Sequence, residues 1–233
     1  MNILWDGCEQ EWHEWTGILE TNGGIILLFD KTVEHRDIVM VMDGSKVMAM
    51  PQVVLPKGFS FRFFESEEDI SHWARIETSV LEFDLEAEAR DFFLEEFYPH
   101  IEELKRRCFF IINEEGLPIA TAMGWFSNYA IPNRLHWVSV CPGFQGLGLG
   151  KAVSQKAVNV CASLLPNKPM WLSTQTESHR AVLMYHKMGF NMAKNDMKLG
   201  DKADYIKDFD AAIKVLSGLF DPSDIISLQK SAV

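Results

Sequence analysis

The sequence predicts a mixed α/β protein, on three observations. Strand-like and helix-like segments alternate along most of its 233 residues. One strand runs through a glycine-rich loop into an amphipathic helix. Hydrophobic residues make up 47% and charged residues 24%, an ordinary globular composition that excludes disordered, collagen-like and low-complexity classes. At roughly 100–200 residues per domain, the length suits one large domain with appendages.

Residues 1–57 read as an N-terminal extension. It holds Trp5, Trp12 and Trp15, a turn at Asn22-Gly23-Gly24, strand-like runs at 25–29 and 37–42, and a close punctuated by Pro51, Pro56 and Gly58. A regular pattern begins at 59. The aromatic run 59–64 suits a strand. Ser66 followed by Glu67, Glu68 and Asp69 predicts a helix with Ser66 as N-cap, since an accepting side chain and negative charge suit the exposed amides of a helix start. That helix extends to 80, and a second spans 85–97 and stops before Pro99. Residues 108–112 and 119–126 pair as a hairpin about the turn at 113–116. A strand at 135–140 leads into Cys141-Pro142-Gly143-Phe144-Gln145-Gly146-Leu147-Gly148-Leu149-Gly150-Lys151. In the helix beyond, Val153, Ala157, Val160 and Leu164 recur along one face. A strand at 170–176 and a helix at 178–188, stopped by Gly189, complete a domain at 58–200. The tail, 201–233, carries one amphipathic helix over 205–219.

The charge balance, 22 basic against 33 acidic residues, gives −11. Nucleic acid is not an expected partner, because such proteins neutralise phosphates with clustered Lys and Arg. No apolar run approaches the ~20 residues that span a bilayer, so no membrane role is expected. The start, Met1 to Asp6, lacks the basic and apolar pattern of a signal peptide, and the expected location is cytoplasmic. Cys8, Cys108, Cys141 and Cys161 show no CxxC spacing, so neither a disulfide framework nor a metal site is expected.

A strand, a glycine-rich loop and a helix together cradle phosphate: glycines let the backbone approach, amides point at the anion, and the helix dipole adds to the attraction. The spacing separates the alternatives. A P-loop anchored on Gly150-Lys151 needs glycine at Gln145 and a hydroxyl at Ala152, and both fail. A dinucleotide fingerprint from Gly146 or Gly148 needs glycine at Lys151 or Val153, and both fail. What fits is Q-x-x-G-x-G, with Gln145, Gly148 and Gly150. Further on, Ala181, Tyr185, Gly189 and Phe190 give A-x-x-x-Y-x-x-x-G-F. Both elements, in this order, resemble the GNAT superfamily of acetyl-CoA-dependent N-acetyltransferases over about 59–199. The family often has Asn three residues before the alanine; this chain has Ser178.

The resemblance implies the GNAT acyl-CoA N-acyltransferase fold and direct acetyl transfer from acetyl-CoA, the cosubstrate, to a primary amine, without a metal. It implies cosubstrate contacts from Val138, Ser139 and Val140 on the strand, from Gln145, Gly146, Leu147, Gly148, Leu149, Gly150 and Lys151 on the loop, and from Ser178. A strand amide would polarise the thioester carbonyl. Lys151 adds a charge there or is a solvated first-turn lysine. Tyr185 is the implied general acid toward the departing thiolate, an ordinary phenol near pKa ~10 facing a thiol near ~8.5; the alternative is a tyrosine packed with its hydroxyl satisfied.

A base must take the amine proton. The strand carries no carboxylate, and His136, Glu77, Glu82 and Glu177 are the candidates. From Glu65 to Glu103 fourteen acidic residues face only Arg75 and Arg90. A negative cleft there would concentrate a cationic small-molecule or peptide amine, whereas a solvated helix face would not. Trp73, Trp125 and Trp137, with Phe92, Phe93 and Phe97, read as core or cleft walls. The N-terminal tryptophans suit packing, a cover over the acceptor site, or a homodimer contact. The rival reading is a non-catalytic acyl-CoA-binding or regulatory protein of the same fold.

Overall fold

A computed structural model describes residues 18–21, 24–27, 30–128, 130–194 and 209–233. Trp5, Trp12, Trp15 and the start of the expected tail helix lie outside these. The first elements are an antiparallel hairpin of β1 (Ile18–Thr21) and β2 (Gly24–Leu27). Next come β3 (Asp37–Met42) and the short α1 (Gly44–Met48), whose Asp43 cap accepts from the Ser45 amide at 2.8 Å.

β4 (Ser60–Phe63) precedes α2 (Glu68–Ser79) and α3 (Glu86–Glu96). The expected Ser66 cap does not form: the N-cap is Glu67, without a side-chain bond. The 2%-exposed Asp69 instead accepts from the Glu65 amide at 2.8 Å and takes Arg62 through both guanidinium nitrogens, at 3.0 and 2.6 Å. An ionised carboxylate holding an arginine and an amide is a stronger anchor than a serine hydroxyl. α4 (Ile101–Arg107), which the sequence reading missed, leads into β5 (Cys108–Ile112) and β6 (Pro118–Phe126). β7 (Asn133–Val140), α5 (Leu149–Leu164), β8 (Met170–Gln175), α6 (His179–Met188) and β9 (Asn191–Met192) follow. The described part of the tail holds two helices where one was expected, α7 (Phe209–Leu216) and α8 (Pro222–Ser231). Ser217 to Phe220 turn back onto the end of α7, and Pro222 then opens α8.

Seven strands form one mixed sheet in the order β4-β5-β6-β7-β8-β3-β9. β3, from the stretch read as an extension, lies between β8 and β9 and pairs antiparallel with both. Its composition explains the position, since Ile38 to Met42 are all buried and a strand covered on both faces needs a continuous apolar run. β7 and β8 are parallel but pair only through Asn133 with Met170 and Arg134 with Trp171. Asn133 donates to the Pro169 carbonyl at 3.3 Å, and Arg134 lies 4.5 Å above the Trp171 ring and donates to Ser173 Oγ at 3.1 Å. These contacts hold one end of the pair closed. Beyond them, Leu135 to Val140 have no ladder partner on β8, and the sheet splits.

α5 crosses the sheet with Val153, Ala157 and Val160 buried as its spacing predicts. Gly124 of β6 lets it come close: a Cβ there would lie 2.8 Å from the Ala157 carbonyl oxygen and 3.0 Å from Cys161 Sγ. One core lies between α5, α6, the tail helices and the sheet; a second, rich in aromatics, fills the space under α2 and α3.

Candidate active site

The split in the sheet, the glycine loop and the starts of α5 and α6 meet at one place. Opposite Ala122 on β6 stand two residues of β7, Trp137 and Val138, because the register passes from Thr121–Ser139 to Met123–His136. Trp137 adopts φ of 49°, a left-handed conformation rare for a bulky side chain. The result is a β-bulge, which leaves a residue out of the ladder and bends the strand. The Trp137 ring thereby packs against Trp73, Phe83 and Phe92 at centroid distances of 5.1, 5.7 and 5.3 Å. Trp73, Phe93, Phe97 and Trp125 are core, while Trp137 and Phe92 are half-buried walls.

At the end of β7, the Gln145 amide donates to the Val140 carbonyl at 2.7 Å and ties the loop to the strand. Gly146 and Gly148 take φ of 76° and 79°, and a Cβ at either would meet nothing within 4 Å. The left-handed backbone, not crowding, is what calls for glycine there. Gly148 is the N-cap of α5 and offers no side chain, so the first-turn amides lack a side-chain cap and face open space. This suits an oligophosphate. Leu147 is 51% exposed, whereas Leu149 is buried beneath the loop, and Lys151 is exposed in the first helical turn. Gly150 sits where a Cβ would be 3.8 Å from both Val140 and Met184 of α6, bringing strand, loop and α6 together.

Tyr185 is 6% exposed, and its hydroxyl lies beside Ser154, which donates to the Gly150 carbonyl at 2.8 Å. Burial pushes the phenol well above its ordinary range. It therefore keeps its proton at any physiological pH and is a weaker acid than the sequence reading assumed. Ser178 ends the turn of residues 176–178 before α6 and makes no capping bond.

Among the candidate bases, Glu77 stands apart. It lies on α2, is fully buried, and accepts from Ser139 Oγ at 2.7 Å, while its other oxygen has no partner. Desolvation raises its pKa to about 8, against the Ser139 bond, with the Glu82 charge adding to the rise. Glu82 stays open to solvent, yet its surroundings and the Glu177 charge raise it too. Glu177 meets His35 Nδ1 at 2.5 Å. His136 is pushed well below its ordinary range by burial, with Arg134 adding to it, and stacks edge-on against Phe97 at 5.8 Å. It is a packed, neutral ring. In the sequence Glu77 is one candidate among four, since no local motif surrounds it; the fold is what singles it out, by burial and the Ser139 bond. Among the described residues, no group of three or more His, Cys, Asp or Glu is arranged to hold a metal ion, and no helix is long and apolar enough to cross a membrane.

A split mixed sheet with a glycine loop and an uncapped helix start at its mouth defines an α/β protein whose open loop suits an anionic group. The sequence profile of the Acetyltransferase (GNAT) family matches residues 69–190 of the 233, and the chain belongs to that family. Solved structures of the same fold include a GCN5-related N-acetyltransferase from Sphaerobacter thermophilus (TM-score 0.54, 18% identity, 69% of this chain and 49% of that one). A Drosophila protein gives 0.51 at 14% identity over 70% of this chain and 50% of that one. A GNAT-family acetyltransferase from Colwellia psychrerythraea gives 0.51 at 12% over 68% and 54%. The chain thus spans about half the length of each. No curated protein sequence matches it.

Proposed function

We propose that the protein is an acetyl-CoA-dependent N-acetyltransferase acting on a primary amine. The observation that carries this reading is the open Gln145–Lys151 loop, with left-handed Gly146 and Gly148 and the uncapped start of α5, at the mouth of the split between β7 and β8. Acetyl-CoA supplies an activated acetyl group and a diphosphate that the loop amides and Lys151 hold. The unpaired edge of Val138 to Val140 receives the amide groups of the pantetheine arm, and an amide at the bulge polarises the thioester carbonyl.

Glu77 takes the proton of the incoming ammonium, its free oxygen accepting and Ser139 holding the other. A base raised toward neutrality fits this task. The amine nitrogen bonds to the acetyl carbon and the carbon–sulfur bond breaks. As that bond breaks the nitrogen gives up a second proton; Tyr185 donates to the leaving sulfur and is reprotonated through solvent, and Glu77 releases its proton to solvent, so ammonium and thioester give amide, thiol and one proton. Glu82 and Glu177 beside Glu77 favour a cationic acceptor. Among the described residues, Cys108, Cys141 and Cys161 are buried and free, consistent with a reducing cytoplasmic location.

The test is calorimetric titration with acetyl-CoA, with ATP as comparator, followed by an amine panel read by thiol release. Saturable acetyl-CoA binding with ATP silent supports the reading. Tighter ATP than acetyl-CoA binding overturns it.

A further inference from the structure

α2 ends in a turn that its residues do not favour. Leu81 takes φ of 66°, in the left-handed region, although it is 46% exposed and belongs to neither of the two large cores. Its N–H donates to the Thr78 carbonyl at 3.0 Å, and the Glu82 N–H donates to the Glu77 carbonyl at 3.1 Å. Two such bonds about a left-handed residue make the Schellman closure of a helix, where glycine is the usual occupant of the left-handed place. The closure folds residue 82 back over residue 77, and these two positions are commonly an apolar pair. Here both are glutamates. A leucine held in a conformation it resists, to bring two like charges together, points to a use for the turn.

The turn sets a second carboxylate among the reacting groups. The Glu82 charge reaches both Glu77 and Tyr185, and the Glu177 charge reaches Glu82. Glu177 has His35 as a partner at 2.5 Å. Glu82 has no cation within ion-pair distance among the described residues, and the second Glu77 oxygen is buried without a partner. The next residue begins an apolar wall. Phe83 stacks on Trp137 at 5.7 Å and meets Phe92 at 5.4 Å, and Phe92 and Trp137 are 5.3 Å apart. These three rings are half-buried, with the fully buried Trp73 behind them. A single turn thus presents an unpaired carboxylate and flat apolar surface side by side.

We propose that Glu82 selects the acceptor: it binds the ammonium group that Glu77 deprotonates, while Phe83, Phe92 and Trp137 receive an apolar body attached to it. The inference rests on the acetyltransferase reading and names the acceptor class, a primary amine on a flat apolar group with no carboxylate beside the nitrogen. An amino acid would bring its own carboxylate against Glu82 and Glu177, and like charges in partly dry surroundings repel strongly. A diamine would answer the charge and leave the rings uncovered.

Thiol-release kinetics on the full chain with saturating acetyl-CoA test it, using 2-phenylethylamine, phenylalanine (the same body with a carboxylate) and 1,4-diaminobutane (no ring). Wild type is expected to favour 2-phenylethylamine over each of the others by at least about tenfold in kcat/KM. Glu82→Gln keeps the backbone closure; it should raise KM for 2-phenylethylamine by about tenfold, the size of one charge-assisted hydrogen bond, with acetyl-CoA affinity unchanged by calorimetry. It should also narrow the preference over phenylalanine by at least about threefold, which a merely structural residue would not do. Phe83→Leu should raise KM for 2-phenylethylamine by about fivefold and leave 1,4-diaminobutane within about twofold. Phenylalanine or 1,4-diaminobutane used as well as 2-phenylethylamine overturns the inference while the acetyltransferase reading stands, as does an unchanged preference in Glu82→Gln. Turnover of none of the three by a protein that binds acetyl-CoA also overturns the inference alone. Failure to bind acetyl-CoA overturns the acetyltransferase reading, and this inference with it.

Discussion

Ser139 on β7 donates its hydroxyl to the buried carboxyl of Glu77 on α2 at 2.7 Å. The bond joins the strand beside the split in the sheet to a helix more than sixty residues earlier, and it leaves one Glu77 oxygen without a partner. Replacing Glu77 by Gln keeps the shape and removes the carboxylate proposed as the base. The expected loss in kcat is about a hundredfold with acetyl-CoA affinity unchanged. In wild type, kcat/KM should rise with pH through an ionisation near 8, where Glu77 loses its proton. Glu77→Gln should erase that limb. A rate profile that keeps it assigns the base elsewhere.

The same carboxyl makes stability pH-dependent, with a definite sign. Its folded pKa of about 8 lies above the ordinary 4.5. Between those values the unfolded chain releases the proton while the folded chain keeps it, so stability falls as pH rises across this window and levels off above it. Denaturant melts from pH 4.5 to 9 should show a shallower slope for Glu77→Gln than for wild type.

Tyr185→Phe removes the hydroxyl beside Ser154. The expected result is a drop in kcat of at least about tenfold with acetyl-CoA binding retained. Unchanged turnover would make Tyr185 a packing residue, which its 6% exposure and place in the main core already allow.

Gly148→Ala forces a Cβ onto a left-handed residue at the start of α5, a strain of about 1–2 kcal/mol. No neighbour stands within 4 Å, so the fold should persist while acetyl-CoA binding weakens as the loop relaxes away from φ of 79°. Calorimetry and thermal melting on the same sample separate the two effects.

Gly124→Ala is the opposite case, with an acceptable backbone and no room. The added carbon would sit 2.8 Å from the Ala157 carbonyl oxygen, and α5 must lift from β6. Overpacking of this kind costs about 1–3 kcal/mol. A thermal midpoint unchanged from wild type would refute this account of the α5–β6 contact.

The mixed α/β class, the strand–loop–helix unit and the GNAT resemblance were legible because each is local. Apolar spacing marked α5, and the positions of Gln145, Gly148 and Gly150 separated this loop from the P-loop and dinucleotide patterns. The Ser66 cap was misread because Asp69 reaches back and, with Arg62, holds the turn. α8 was missed because its charged and apolar residues show only a weak face in sequence, and its helix depends on docking against α6 and β9.

The sequence by itself determined most of the helices and strands, where the glycine turn lies, and which family the chain resembles, since period, glycine placement and motif order act over a few residues. The tertiary structure decided that residues 37–42 insert between β8 and β9, that Glu77 faces Ser139, and that α8 docks against α6 and β9. Those relations join residues up to 150 apart or more, and they follow from which apolar faces can be buried together and which carboxyl is left dry. No local pattern encodes either.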